Sequence, residues 1–181
     1  MKVLITGTSR GIGRACALRY LEEGHEVIGI DLRAATIPQA EEAAGPDTQY
    51  RHYTHYIADI TGELPPIEGV EILVNNAGVQ EGGDEIRVNL EGTIAVTEKY
   101  GLTPAIRSIV FMASSSASNG AEFPRYAASK GGIVAYMKNV ALRAARFGIE
   151  SIDISHSTSY TSVLTYFTTI QNFPETPISS L

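Results

Sequence analysis

The sequence predicts an α/β protein built on a doubly wound parallel sheet. Short continuous apolar runs alternate with stretches of helical periodicity, as expected for parallel strands that are buried on both faces and joined by helices. Polar residues or glycine stand near the end of each run, at Gly7, Asp31, Asp59, Asn76 and Ser114. Because the carboxyl ends of parallel strands lie at one edge of a sheet, these residues are expected to surround a common ligand site.

The composition suits one globular domain and excludes several classes of function. The chain has 181 residues, of which 44% are hydrophobic and 19% are charged. Its net charge of -6, without any basic run, argues against nucleic-acid binding, and no apolar run approaches the ~20 residues that a membrane span needs. The single cysteine, Cys16, cannot form an internal disulfide and falls in an apolar helical pattern. A cytoplasmic location is therefore expected.

The first predicted strand leads into a glycine-rich turn and a helix. Val3–Leu4–Ile5 is the strand, Gly7, Gly11 and Gly13 mark the turn, and helical periodicity continues up to Gly24. Glycines allow the backbone to approach a diphosphate, and the N-terminus of a helix offers free N–H groups and a partial positive charge. The pattern therefore predicts a dinucleotide site, with a purely structural turn as the alternative.

The second predicted strand, from Glu26, ends on the acid Asp31. In a dinucleotide-binding fold, an acid at this position accepts hydrogen bonds from the ribose hydroxyls of adenosine and repels a 2′-phosphate. Asp31 therefore favours NAD over NADP. Arg10 and Arg33 favour the opposite, since either could pair with a phosphate, and a merely solvated aspartate is a further alternative.

The middle of the chain continues the alternation. The expected elements are a short helix over 34–45, strands over 49–57, 71–74 and 109–113, and a helix from Asp84 to Tyr100. Asp59–Ile60, Asn75–Asn76–Ala77–Gly78 and Ser114–Ser115–Ser116 follow the three strands, and Asn89 lies inside the helix, where asparagine is a mediocre helix former. His52 and His55 lack a third residue at metal-ligand spacing, so exposed or packing histidines are expected.

A helix predicted from Pro124 to Phe147 carries Tyr126 and Lys130 four residues apart. Residues at this spacing lie on the same face, so a phenol and an ammonium are held side by side. A nearby cation favours the phenolate and is expected to lower the pKa of Tyr126 from ~10 towards neutrality, where a general base is most effective. A solvated surface pair is the alternative.

The order of these motifs resembles that of the short-chain dehydrogenase/reductase family over about residues 1–154. The resemblance rests on Thr6–Gly7-x-x-x-Gly11–Ile12–Gly13, Asp59, Asn75–Gly78, Asn89, Ser114 and Tyr126-x-x-x-Lys130. It implies a three-layer, Rossmann-type fold and an NAD-dependent oxidoreductase that interconverts a secondary alcohol and a ketone. It also implies that a small-molecule alcohol or ketone is the substrate.

The resemblance assigns roles to four catalytic residues. Tyr126 would be the acid/base, and Lys130 would lower its pKa and hold the nicotinamide ribose. Ser114, with Ser115 as second choice, would bind the reacting oxygen, and Asn89 would position a water that relays a proton. The implied cofactor residues are Gly7, Ser9, Arg10, Gly11, Ile12, Gly13, Asp31, Asp59, Ile60, Asn76, Ala77, Gly78, Tyr126, Lys130 and Thr161.

The sequence departs from the family pattern in two places. The segment between Gly78 and Asn89 is shorter than in most relatives, as in some hydroxysteroid dehydrogenase-like members. After a sixth strand near residues 150–154, His156–Ser157 replace the expected Pro-Gly turn, and the usual seventh strand is not expected. We therefore divide the chain into a catalytic part, 1–154, and a Ser/Thr-rich tail, 155–181, whose apolar residues from Val163 to Ile170 could form a substrate lid or simply pack.

Two hypotheses of different class remain. The first is the NAD-dependent enzyme, which forms a homodimer or homotetramer through the helices that begin near Asp84 and Pro124. The second is a nucleotide-binding sensor or scaffold of the same fold, with weak or no catalysis. Asn89, Ser114, Tyr126 and Lys130 favour the enzyme, whereas the altered C-terminal region favours the binding protein.

Overall fold

A computed structural model describes residues 1–39, 51–144 and 151–156 of the chain. Six strands in these ranges form one sheet in which every neighbouring pair is parallel, in the order β3-β2-β1-β4-β5-β6. The strands are β1 (Lys2–Thr6), β2 (Glu26–Asp31), β3 (Tyr53–Ile57), β4 (Ile72–Asn75), β5 (Ser108–Ala113) and β6 (Ser151–His156). The doubly wound parallel sheet predicted from the sequence is confirmed.

Helices cover both faces of the sheet. They are α1 (Gly11–Glu22), α2 (86–101), α3 (Ser116–Asn119) and α4 (Pro124–Ala144). Alternate residues of the buried strands point to opposite faces, as the period of a strand requires. Leu4 packs in the cluster that includes residues of α2 and α4, whereas Val3 and Ile5 pack in the cluster that includes residues of α1. The result is a three-layer architecture with a hydrophobic core on each face.

The helix α2 is not a regular α-helix. Its first part, Ile86–Gly92, and its last part, Thr97–Gly101, are π-helical, and only Thr93–Val96 between them is α-helical. The helix predicted from Asp84 to Tyr100 is present, and its π-helical turns are a feature that helical periodicity alone does not predict. π-Helical turns are rare and occur frequently at functional sites. The first of them contains Asn89.

Most predicted boundaries agree with the structure to within a few residues. The third strand begins at Tyr53 and not at residue 49, and the described part of the predicted helix over 34–45, residues 34–39, is not helical. The helix that carries Tyr126 is described as far as Ala144, and the question of a seventh strand falls on residues 157–181, outside the described ranges.

The strand order reverses direction between β1 and β4, which are neighbours in the sheet. From β1 the chain proceeds outward to β2 and β3, then crosses back to β4 and proceeds outward to β5 and β6. Such a topological switch point opens a crevice at the carboxyl ends of the two central strands. Gly7 follows β1 and Asn76 follows β4, so both lie at this crevice.

Two further kinds of feature, a membrane-spanning helix and a metal-ligand cluster, are not found in the described part of the chain. None of the described helices is long and apolar enough to cross a membrane. Within the same ranges, no group of three or more His, Cys, Asp or Glu residues could hold a metal ion.

Candidate active site

A cleft of about 580 Å³ lies at the carboxyl edge of the sheet. Thirteen of the predicted site residues line it, and the sequence-based prediction of a shared edge thus describes their actual arrangement. These residues are Gly7, Arg10, Gly11, Ile12, Asp31, Asp59, Ile60, Asn76, Ala77, Gly78, Tyr126 and Lys130, and Ser114 joins them from the end of β5. Ser9, Gly13 and Asn89 are described but do not line the cleft, whereas Thr161 lies outside the described residues.

The turn between β1 and α1 is shaped for close backbone approach. Gly7 has a φ of +79°, and a Cβ atom there would lie 2.8 Å from Asn76 Nδ2. A Cβ atom on Gly13 would lie 2.1 Å from the carbonyl oxygen of Gly7, so Gly13 lets α1 pack against the turn although it does not face the cleft. No side chain caps the N-terminus of α1 at Arg10. The first N–H groups of the helix therefore stay available for an anion.

Asp31 closes the β2 side of the cleft. Its carboxylate accepts hydrogen bonds of 2.9 Å from the backbone N–H groups of Ser9 and Arg33. The Ser9 hydroxyl donates in turn to the carbonyls of Arg33 and Ala34, at 3.2 and 2.9 Å. Ser9 therefore fixes the glycine-rich turn to the end of β2 without lining the cleft itself. Each oxygen of Asp31 keeps a further lone pair for a ligand.

A polar network that the sequence analysis missed supports this end of the cleft. The fully buried Tyr53 donates a hydrogen bond of 3.1 Å to Thr8 Oγ1, and its hydroxyl lies 2.9 Å from His55 Nδ1. His55 Nε2 donates to the carbonyl of Arg33 at 2.8 Å, so this histidine positions backbone beside Asp31. The one sequence feature that could have pointed to this network is Gly29, a glycine inside a strand. A Cβ there would lie 2.4 Å from Thr8 Oγ1 and 2.5 Å from the Tyr53 hydroxyl oxygen.

Asp59 follows the carboxyl end of β3, and hydrogen bonds hold its carboxylate in place. One carboxylate oxygen accepts hydrogen bonds of 2.8 Å from both the N–H and the hydroxyl of Thr61, and the other lies 3.3 Å from the guanidinium of Arg87. The hydrogen bonds from Thr61, and then the Arg87 guanidinium, hold the pKa of Asp59 below its usual value. Asp59 is therefore ionised near neutrality. Next to it, the nearly buried Ile60 packs against Gly92 of α2, where a Cβ would lie 2.7 Å from Ile60 Cδ1.

Asn76 joins the two central strands at the switch point. Its side-chain amide donates to the carbonyl of Thr6 at 2.9 Å, and its backbone N–H donates to Thr6 Oγ1 at 3.0 Å. Thr6 Oγ1 also accepts the N–H of Ala77 at 3.0 Å. These hydrogen bonds to Thr6 thus fix the backbone that continues through Ala77 and Gly78 along the cleft.

Asn89 is fully buried and has its side chain occupied by the protein. Its Oδ1 accepts the N–H of Val79 at 2.7 Å, and its Nδ2 donates to the carbonyl of Val79 at 2.8 Å and to Ser129 Oγ at 3.0 Å. A Cβ on Gly78 would lie 2.9 Å from Asn89 Oδ1. These contacts make Asn89 a positioning residue for the segment after β4, and its predicted water relay stays a prediction.

Ser114, Tyr126 and Lys130 come together on the opposite side of the cleft. Ser114 is buried at the end of β5, with its Oγ 3.0 Å from Ser116 Oγ, and it lines the cleft together with Tyr126. Lys130 Nζ lies 5.6 Å from the centroid of the Tyr126 ring. Ser115, the second choice from the sequence, does not line the cleft.

The titration of Tyr126 differs from the expectation. Burial raises the pKa of Tyr126, the Ser114 hydroxyl opposes this, and the charge of Glu122 adds to the rise. The Lys130 ammonium donates at 2.7 Å to the carbonyl of Met112, and burial lowers the pKa of Lys130 itself to about 8, so this cation does not reverse the rise. The prediction of a phenol near neutrality was therefore wrong for the protein alone. Tyr126 is a neutral acid in this state.

The fold and this arrangement of side chains define a class of protein, a doubly wound α/β protein with a Ser, Tyr and Lys group on the cleft at its carboxyl edge. The chain belongs to the short chain dehydrogenase family, whose family model matches residues 1–167. Members of this family are oxidoreductases, and solved structures with the same fold contain NADH or NADP. The family predicted from the sequence is confirmed.

Curated relatives support the same assignment. The 3-oxoacyl-(acyl-carrier-protein) reductase FabG of Staphylococcus aureus is 31% identical, with 81% of this chain and 69% of the relative covered. The acetoacetyl-CoA reductase of Synechocystis is also 31% identical, with 82% and 68% covered. A short chain dehydrogenase of Penicillium roqueforti, adrF, is 29% identical, with 81% and 65% covered. The chain thus spans about two thirds of the length of these relatives.

Solved structures share the fold. A protein from Beutenbergia cavernae described as an NAD(P)-dependent gluconate 5-dehydrogenase, with bound NADP, has a TM-score of 0.73 at 24% identity, with 86% of this chain and 70% of that chain covered. A 4-hydroxyisoleucine dehydrogenase complexed with NADH has a TM-score of 0.67 at 22% identity, with 82% and 69% covered. At these identities the likeness concerns the fold alone.

Proposed function

We propose that the chain is an NAD-dependent oxidoreductase that interconverts a secondary alcohol and a ketone. One observation carries the proposal: the dinucleotide turn at Gly7 and the group of Ser114, Tyr126 and Lys130 line the same cleft. Each motif alone has a bland explanation, either a structural turn or a surface pair. Their presence on two sides of one cleft is what a reaction between a bound dinucleotide and a small molecule requires.

The residues present fit a nicotinamide dinucleotide. Gly7 and Gly13 leave no room for a Cβ, the N-terminus of α1 has no side-chain cap, and Asp31 ends the adjacent strand. These features suit a diphosphate over the turn and an adenosine ribose beside β2. The cofactor, when bound, supplies the hydride chemistry. We expect NAD to be preferred. The Asp31 carboxylate would repel a 2′-phosphate, and we expect this repulsion to outweigh the attraction of the phosphate to Arg10 and Arg33.

Tyr126 would transfer the proton. As a neutral phenol, it can donate its proton to a developing alkoxide when a ketone is reduced, and as the phenolate it accepts that proton when an alcohol is oxidised. Ser114, which lines the cleft with Tyr126, would hold the same substrate oxygen. This geometry would place the reacting oxygen between two hydroxyl groups.

Lys130 would stabilise the ionised form of Tyr126 through its positive charge. Its nearly buried ammonium is 5.6 Å from the centroid of the phenol ring. A cation at this distance stabilises the phenolate, which is left when Tyr126 protonates a ketone being reduced and which takes up the proton of an alcohol being oxidised. The contact with the Met112 carbonyl holds the ammonium at the end of β5. We also propose, as an untested part of the mechanism, that a water near Asn89 relays the proton past Lys130.

The remaining sequence-based predictions stay proposals. They are the division into a catalytic part and a tail at residue 155, assembly through α2 and α4 into a homodimer or homotetramer, and a cytoplasmic location. Light scattering of the purified chain measures its mass in solution. A monomer would contradict the proposed assembly without touching the proposed reaction.

The decisive experiment compares two tyrosines of the same helix. Tyr126→Phe is expected to lower turnover of a secondary alcohol by at least about 100-fold, the lower range for general acid–base catalysis, while NADH affinity stays within about twofold. Tyr136→Phe is the control, because the Tyr136 hydroxyl bonds Glu98 and does not line the cleft. Turnover that survives in Tyr126→Phe would refute the mechanism. NADH binding without any turnover in the wild type would favour the sensor or scaffold.

A further inference from the structure

One residue at the mouth of the cleft has an unusual backbone conformation. Glu122 has a φ of +67° and is the only non-glycine residue with positive φ in the described part of the chain. This left-handed conformation is unfavourable for a residue with a Cβ, and residues held in it cluster at active sites and ligand clamps. Gly120, two residues earlier, has the same φ without that cost.

The side chain of Glu122 is placed beside the catalytic group. Glu122 lines the same cleft as Ser114, Tyr126 and Lys130, and it stands one helical turn before Tyr126 at the entrance to α4. After burial, which is the main cause, its negative charge contributes to the raised pKa of Tyr126. A carboxylate here therefore acts electrostatically on the position where a substrate would react.

The carboxylate has no cation as a partner among the described residues. Its Oε2 accepts a hydrogen bond of 3.1 Å from Gln80 Nε2, across the cleft on the segment after β4. The cation nearest in sequence, Arg125, pairs instead with Glu85 at 3.3 Å. Gln80 thus aims the carboxylate without neutralising it, so one face of the cleft mouth keeps a full negative charge.

From this geometry we infer that Glu122 selects substrates that carry an ammonium group close to the reacting carbon, and that it rejects carboxylates. The inference rests on the proposed oxidoreductase function and adds the substrate class to it. An ammonium group would pair with Glu122 while the neighbouring hydroxyl or carbonyl oxygen reaches Ser114 and Tyr126. A carboxylate in the same place would meet a like charge.

Three alcohols of similar size test the inference: isopropanolamine, lactate and sec-butanol, which are cationic, anionic and neutral. We expect kcat/KM for isopropanolamine to exceed that for lactate by at least about tenfold, and we expect Glu122→Gln to abolish most of this difference. Glu81→Gln is the matched control, since this exposed carboxylate on the same segment as Gln80 does not line the cleft. An equal ratio in the wild type and in Glu122→Gln would overturn the inference, as would an equal loss in Glu81→Gln.

A binding measurement separates this inference from the proposed reaction. Calorimetric titration of isopropanolamine and lactate into the protein with NADH needs no turnover, and the preference for the cation should again depend on Glu122. Absence of turnover with all three alcohols, together with Glu122-dependent binding of isopropanolamine, would refute the proposed function and retain the site. Turnover of sec-butanol without any charge preference would retain the function and refute the site.

Discussion

The ammonium of Lys130 donates a hydrogen bond of 2.7 Å to the backbone carbonyl of Met112, the penultimate residue of β5. Ser114 follows Met112 by two residues, so one lysine contact fixes α4 against the strand end that carries the serine. The same contact leaves the ammonium 5.6 Å from the centroid of the Tyr126 ring. A spacing of four residues in the sequence brings two groups to one face of a helix, but it does not decide which of their neighbours they bind.

Lys130 is expected to make stability depend on pH at alkaline values. Burial lowers its pKa from 10.5 to about 8, so between these values the unfolded chain binds a proton that the folded chain does not. The free energy of unfolding should therefore rise with pH across this window, by up to about 3 kcal/mol. Urea denaturation at the two limits, compared with Lys130→Met, isolates this contribution. Parallel curves for the two proteins would contradict the assigned titration.

Two glycines offer opposite outcomes for the same substitution. Gly13→Ala places a Cβ 2.1 Å from a backbone oxygen of Gly7, so we expect a loss of about 2 kcal/mol in stability and at least about tenfold weaker NADH binding. Gly131→Ala, inside α4, places a Cβ in ordinary contact at 3.7 Å from the carbonyl oxygen of Ala117 and should stabilise by about 0.5–1 kcal/mol. Thermal unfolding and nicotinamide fluorescence measure both effects. Unaltered NADH binding in Gly13→Ala would exclude the turn as the diphosphate site.

Asp31 is expected to set the choice between the two nicotinamide dinucleotides. In Asp31→Ala, the ratio of the NADPH and NADH dissociation constants should fall by about tenfold, because the repulsion of a 2′-phosphate is removed. Glu26→Ala removes the same charge at the other end of β2 and should leave the ratio unchanged. Fluorescence titrations give the four constants. A ratio that does not respond to Asp31 would assign the selectivity to other residues.

Glu122 is expected to be held in its conformation at a cost to stability. Glu122→Gly removes the left-handed strain of about 1–2 kcal/mol and adds about 0.5–1 kcal/mol of unfolded-state entropy. The net change should be a gain of up to about 1 kcal/mol. Ala121→Gly, next to it and without a positive φ, should instead destabilise the fold. A loss of similar size in both variants would show that Glu122 is unstrained.

The sheet was predictable because its signals are local. Runs such as Val3–Leu4–Ile5 and the second strand ending at Asp31 are apolar on both faces, and only a strand buried between two layers of helices needs such a run. The shared edge of the strands is a consequence of parallel topology alone. That topology is sufficient to place Gly7, Asp31 and Ser114 at one cleft without knowledge of any contact between them.

The site could be predicted less completely because its supporting contacts are long-range. Tyr53, His55 and Thr8 meet across β1, β2 and β3, and no local pattern links them except the glycine at position 29. Glu122 and Gln80 are likewise 42 residues apart in sequence. The titration of Tyr126 depends on burial and on the neighbouring Ser114 and Glu122, which are properties of the packed structure.

The π-helical turns of α2 make this helix sensitive to chain length. A π-helical turn accommodates an additional residue compared with an α-helical turn, so each such turn behaves like a small insertion that the helix has absorbed. Deleting one residue within Ile86–Gly92 would let the segment relax to an α-helix while the parts on either side keep their directions, because the extra residue is held in this turn. The side chains inside the turn would be redirected, and Asn89 would lose its hydrogen bonds with Val79. A single deletion here should therefore act on the segment after β4 as strongly as a substitution of Asn89 itself.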